Sequence, residues 1–120
     1  MLERDIERHL KTEIEALGGK CLKFESPGFT GVPDRIILMP GGILVFAETK
    51  APGRKERPRQ RLVQEQLRKL GFKVFSSVDS SARVEDVVRW CRRSSRFREK
   101  SDIKTPVLDT DWEISGSDGI

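Results

Sequence analysis

Residues 31–50 read Gly-Val-Pro-Asp-Arg-Ile-Ile-Leu-Met-Pro-Gly-Gly-Ile-Leu-Val-Phe-Ala-Glu-Thr-Lys, two apolar runs divided by a Pro-Gly-Gly turn. Short apolar runs bounded by turn residues read as strands, here Arg35–Met39 and Ile43–Thr49, closed as a hairpin. Side chains alternate along a strand with period two, so Glu48 and Lys50 leave the same face. In a hairpin Asp34 enters the first strand where Glu48 leaves the second, which makes the two carboxylates neighbours. Two carboxylates and an ammonium at one strand end suit a divalent cation with a basic group beside it. Phosphodiester hydrolysis uses that equipment.

Working outward, Leu2, Ile6, Leu10, Ile14 and Leu17 recur every three or four residues and predict an amphipathic first helix. Gly18-Gly19 stops it, and Lys20 to Phe24 forms a first short strand. Pro27, Gly28, Gly31 and Pro33 rule out regular structure between 25 and 33, leaving a loop that delivers Asp34. Leu44-Val45-Phe46-Ala47 is continuous apolar sequence, as in a central strand covered on both faces. A basic loop follows from Ala51 to Arg57, then a helix from Pro58, which tolerates the first helical turn. Leu62, Val63, Gln66, Leu67 and Leu70 are expected on one side of it, and Gly71 closes it. Phe72–Val78 is a fourth strand, reached by a crossover that permits parallel pairing. Ala82–Arg93 is a last helix with Val84, Val87, Val88 and Cys91 inward. The predicted class is α/β: an αβββαβ core, its mixed four-stranded sheet flanked by helices, over residues 1–93. Residues 94–120 are expected to be a polar, acidic, flexible tail in which Trp112 is the one anchor.

At 120 residues the chain has room for one core. No apolar stretch approaches the roughly 20 residues of a membrane span, and the N-terminus lacks a signal-peptide pattern. Cys21 and Cys91 lie far apart and read as buried thiols in a reducing compartment, so a cytoplasmic location is expected. With His9 the only histidine, a structural zinc site is not expected. The net charge of +4 is unevenly spread: Lys50 to Lys73 holds nine Lys/Arg against two Glu, while residues 101–120 hold one Lys against five Asp/Glu. A basic stretch of that density attracts polyanions and points to nucleic acid.

Magnesium is commonly held by one or two carboxylates, with water and substrate phosphate filling its other positions. Asp34 and Glu48 meet that need, and the Thr49 carbonyl is placed to add a third protein oxygen. Lys50 is placed to orient the attacking water or neutralise developing charge. An Asp after Pro also caps turns, and Glu-x-Lys also forms surface ion pairs. It is their joint occurrence, with a Gly-rich loop before and a basic helix after, that points to catalysis. Lys23 reads equally as a phosphate contact and as an exposed strand lysine. Arg54, Lys55, Arg57, Arg59 and Arg61 are expected to follow a DNA backbone. Tyrosine is absent, which argues against binding by base stacking.

Gly31-Val32-Pro33-Asp34, Glu48-Thr49-Lys50 and Gln60, eleven residues before Gly71, together resemble the virus-type replication-repair nuclease (VRR-NUC) domain. That family belongs to the PD-(D/E)xK nuclease superfamily with its restriction-endonuclease-like core, and the resemblance spans about residues 1–90. It implies an Mg2+- or Mn2+-dependent endodeoxyribonuclease, with Asp34 and Glu48 as metal ligands, Lys50 as the catalytic lysine, and Gln60 at the start of the second core helix with an amide placed to hold a water or phosphate. The family also places a glutamate on the first helix. Glu3 is favoured, and Glu7, one turn on, is the second choice. Small standalone members resemble homodimers acting on branched DNA such as four-way junctions. Thr49 departs from the more usual apolar residue of the Glu-x-Lys triplet. A non-catalytic DNA-binding module and a sequence-specific restriction-type nuclease are the competing readings, the second short of room for a recognition domain.

Overall fold

The structure, a computed structural model, describes residues 2–102, with side chains through residue 96. In chain order it contains α1 (Glu3–Ala16), β1 (Lys20–Lys23), β2 (Arg35–Met39), β3 (Ile43–Thr49), α2 (Pro58–Lys69), β4 (Lys73–Val78) and α3 (Ser81–Asp102). The strands make one sheet in the order β1-β2-β3-β4, antiparallel across the first two junctions and parallel at the third. This is the mixed α/β arrangement that the hairpin and the crossover predict.

The apolar stripe of α1 buries Ile6, Leu10 and Ile14 against Cys21, Ile37, Met39, Val45 and Ala47 of the sheet. From the same side α3 adds Val84, Val87, Val88 and Cys91. Each fully buried aliphatic side chain stabilises the fold by roughly 1.5–3 kcal/mol. The hairpin closes through three residues, Pro40-Gly41-Gly42, between the facing pair Met39 and Ile43, and Gly41 and Gly42 both hold positive φ (85° and 75°), which such a tight connection needs and glycine adopts freely.

The opposite sheet face carries Ile36, Leu38, Leu44, Phe46 and Val74, and α2 packs there against β4. The inward face of α2 differs from the expected one. Val63 and Gln64 are buried, whereas Leu62 and Leu70 are 50% and 74% exposed. A helix resting on an edge strand contacts it along a narrow line, too narrow to cover the broad leucine face of α2.

The last helix also differs, running beyond Arg93 to Asp102 with Ser95 buried. Fading apolar periodicity past Ser94 marks a helix leaving the core, not one that ends: arginine is a good helix former and neither Gly nor Pro interrupts it. The expected tail therefore does not begin at 94. Its remainder, 103–120, with Trp112 and most of the acidic charge, lies outside the described residues.

Candidate active site

The β2–β3 register, Arg35 opposite Ala47, makes Asp34 and Glu48 the next facing pair. One strand further out, the Phe24 N–H donates to the Asp34 carbonyl at 2.8 Å and draws the end of β1 alongside. On the other side the β3–β4 pairing skips: Ala47 faces Phe75 but Thr49 faces Val78, so Glu48 lies against a bulge formed by Ser76 and Ser77. Bulges re-aim side chains near functional sites. Ser77 sits at φ 50°, a conformation costly for a residue other than glycine.

Asp34 is held by Thr49: its Oδ1 accepts the Thr49 N–H at 2.8 Å and its Oδ2 accepts the Thr49 hydroxyl. Burial raises the Asp34 carboxyl above its ordinary value although both bonds favour the charged form. Glu48 is only 4% exposed. Burial, then the charge of Asp34, push its carboxyl up to about 8, with Glu56 and Glu3 adding to the rise and Lys50 opposing it. Glu48 Oε2 lies 3.8 Å from Lys50 Nζ, and Oε1 is buried without a hydrogen-bond partner.

The Lys50 ammonium is positioned from α2. It donates to Gln60 Oε1 at 3.0 Å, and the same oxygen accepts the Arg57 N–H at 2.8 Å. One amide oxygen thus caps the helix and fixes the lysine. The sequence had offered Gln60 as a holder of water or phosphate, but its oxygen is committed and only its amide nitrogen remains for that work.

Of the two helix-1 candidates, Glu7 is tethered, through Oε2 to Arg35 Nη2 at 3.3 Å and through Oε1 to the Thr49 hydroxyl at 3.3 Å. Glu3 is exposed and lines a cleft of about 230 Å3 with Glu7, Lys23, Phe24, Glu25 and Asp34. The same cleft therefore gathers Glu3, Glu7, Lys23 and Asp34, four residues singled out from sequence.

The acids do not close into a cage. Among the described residues, the one group of three whose ligand atoms lie within 4.8 Å of one another is His9, Glu13 and Glu85, between α1 and α3. Two neighbouring carboxylates beside an open cleft suit a hard, hydrated cation better than a fully enclosed one.

Of the basic residues, Arg54, Lys55, Arg57 and Arg61 are exposed in or just after the 51–57 loop. Arg59 is already engaged: its Nε donates to the Thr30 carbonyl at 3.1 Å and its guanidinium lies 4.8 Å from the Phe29 ring centre. It pins the Gly-rich loop to α2. Gly31 permits that approach, since a Cβ there would lie 2.8 Å from Arg59 Cγ and 3.1 Å from the Arg59 carbonyl, at φ 88°.

One site residue had no signal in the sequence. Glu56 reads as a stray acid in a basic loop, yet it accepts the Ser77 N–H and, at 2.6 Å, the Ser77 hydroxyl. Burial opposes its ionisation, but these bonds outweigh burial and hold its carboxyl below the ordinary value. It latches the loop to the bulge beside Glu48.

No family model matches the chain. A protein named "Putative nuclease p44", from Acyrthosiphon pisum secondary endosymbiont phage 1, is 46% identical over 73 residues, covering 61% of this chain and 78% of the phage protein. A solved structure described as "VRR_NUC domain" superposes with a TM-score of 0.67 at 32% identity, over 72% of this chain and 94% of the other. With the Gly-x-Pro-Asp loop, Glu-x-Lys strand end and helix-capping glutamine set in that fold, this chain belongs to the VRR-NUC nuclease family.

Proposed function

We propose that this chain is an endodeoxyribonuclease dependent on Mg2+ or Mn2+, acting as a homodimer on branched DNA such as four-way junctions. One observation carries the reading: a buried Glu48 carboxyl with an orphaned oxygen, facing Asp34 across the hairpin, which itself lines an open cleft. Burying a carboxylate without a partner is unfavourable, and a cation that shares it with Asp34 removes the penalty. The residues present fit such an ion. Asp34 and Glu48 would hold it, with the Thr49 carbonyl and Glu3 as further oxygens.

When bound, the cation activates water and offsets charge on the phosphoryl oxygens. The chain does the rest. Lys50, fixed between Glu48 and Gln60, faces the place where charge develops and orients the attacking water. Lys23, on the wall of the cleft, meets a neighbouring phosphate. Arg54, Lys55, Arg57 and Arg61 follow the backbone without reading sequence.

Support for pairing of two copies comes from the sheet face that α2 leaves open. There Leu22, Leu38 and Phe72 are 46%, 37% and 40% exposed, Leu22 in the row next to Asp34 and Glu48 and the other two in the row after it. Monomers rarely show a continuous apolar sheet face. Two sites related by a twofold axis would cut two strands of one junction.

The deciding experiment offers linear, flapped and four-way DNA to the protein with and without Mg2+ or Mn2+. The reading expects metal-dependent cleavage that favours the four-way substrate and is abolished by Asp34→Ala while DNA binding persists. Full activity in EDTA would overturn the metal assignment. Tight DNA binding with no divalent-ion binding by calorimetry would make the chain a non-catalytic module.

A further inference from the structure

Beyond the Glu56 latch, α2 and the outer edge of β4 enclose a groove of about 340 Å3 lined by Glu56, Arg61, Gln64, Glu65, Arg68 and Ser76. Both carboxylates on its wall are committed. Glu56 accepts two hydrogen bonds from Ser77, and Glu65 Oε1 accepts from Arg68 Nη1 at 2.9 Å. Arg68 is committed as well, its Nη2 donating to the Val74 carbonyl at 3.2 Å.

Two groups are left over. Gln64 is 2% exposed and its Nε2 has no hydrogen-bond partner. The Arg61 guanidinium has no ion-pair partner among the described residues. A buried amide with an unmade bond weakens the fold, and such exceptions call for an explanation such as an absent partner. Both leftover groups are donors and one is charged, so the missing partner is an anionic oxygen.

The position of the groove narrows its identity. Gln64 lies four residues after Gln60, on the same face of α2 and about one turn along, roughly 6 Å. Gln60 holds Lys50. A DNA strand carries one phosphate per roughly 3.4 Å of axis, so a strand whose scissile phosphate faces Lys50 brings another phosphate to Gln64 within one or two nucleotides.

We propose that this groove is a second phosphate site, in which Gln64 Nε2 and Arg61 hold a backbone phosphate of the DNA strand next to the one being cut. The inference rests on the nuclease reading above. It gives α2 two successive grips on one strand: Gln60, through Lys50, at the reacting phosphate, and Gln64 with Arg61 at its neighbour. A strand held at two points is fixed in direction as well as place.

The test is fluorescence anisotropy of the full chain with labelled four-way and duplex DNA in EDTA, across a salt series, together with melting curves. Gln64→Leu is expected to raise Tm, because an unpaired amide leaves the interior, and yet to weaken DNA binding about tenfold with an unchanged salt slope. Arg61→Gln should weaken binding and reduce the slope by about one. The double variant should lose less than the product of the two losses, since both donors serve one phosphate. A higher Tm with DNA affinity unchanged in Gln64→Leu would overturn the proposal. If millimolar inorganic phosphate raises the Tm of the wild type but not of the double variant, while DNA affinity is the same in both, the groove is a free-phosphate site and the DNA assignment falls. Failure of the wild-type protein to bind DNA at all would instead sink the nuclease reading itself.

Discussion

Replacing Glu48 by glutamine should stabilise the metal-free protein near neutral pH and do almost nothing in acid. The Glu48 carboxyl ionises near 4.5 when exposed and near 8 in the fold, first because it is buried and then because Asp34 lies beside it. With the folded value raised, the favourable contribution is complete below pH 4.5 and is lost as pH climbs to about 8. Each pH unit in that window costs about 1.4 kcal/mol. At pH 7 the accumulated loss is therefore about 3 kcal/mol, and glutamine, alike in shape but uncharged, escapes it. Glutamine, its oxygen toward Lys50, leaves one unpaired polar atom in place of the orphaned carboxyl oxygen, so that cost is similar in both side chains, and the raised carboxyl of Asp34 is present in both proteins. Urea denaturation in EDTA at pH 5 and pH 7.5 measures the difference. The variant should gain about 1–3 kcal/mol over wild type between those two conditions. Adding Mg2+ should reverse the order, since only the wild type keeps both carboxylates for an ion that stabilises the folded state. Equal stability differences at the two pH values would refute the reasoning, because Glu48 would then ionise as if exposed.

Lys50→Ala should abolish cleavage, whereas Gln60→Ala should lower it by roughly 10- to 100-fold, by freeing a lysine it positions without removing it; equal losses in single-turnover assays would show that Gln60 does more than hold Lys50. Gly31→Ala should destabilise by about 1–3 kcal/mol, because a methyl group there meets Arg59 and Val63 at an unfavourable φ, and an unchanged Tm would mean that the loop yields. Removing one of Arg54, Lys55 or Arg57 should reduce the salt slope of DNA binding by about one, and no change places that residue off the DNA path. Burial pushes the Cys21 and Cys91 thiols up to about 11 and 12, so both should resist alkylation at pH 8 until the protein is unfolded in urea. Rapid labelling of the folded protein would contradict their burial.

What the sequence determined by itself was local. The Pro-Gly-Gly turn, the two apolar runs and the three-to-four-residue stripe of α1 depend on side-chain period and backbone freedom, which a short window contains. Asp34, Glu48 and Lys50 were legible for the same reason, since a hairpin turns a separation of fourteen residues into one facing pair. Only the tertiary structure could decide the rest. The latch of Glu56 on Ser77 and the fixing of Lys50 by Gln60 come from how α2 and β4 return to the sheet. The same docking leaves Gln64 buried but unpaired, and commits Arg59 to the loop at Thr30. Such contacts rest on register, a single-strand bulge and the angle of a docked helix. Those are set by packing among distant segments, and no periodicity along the chain encodes them.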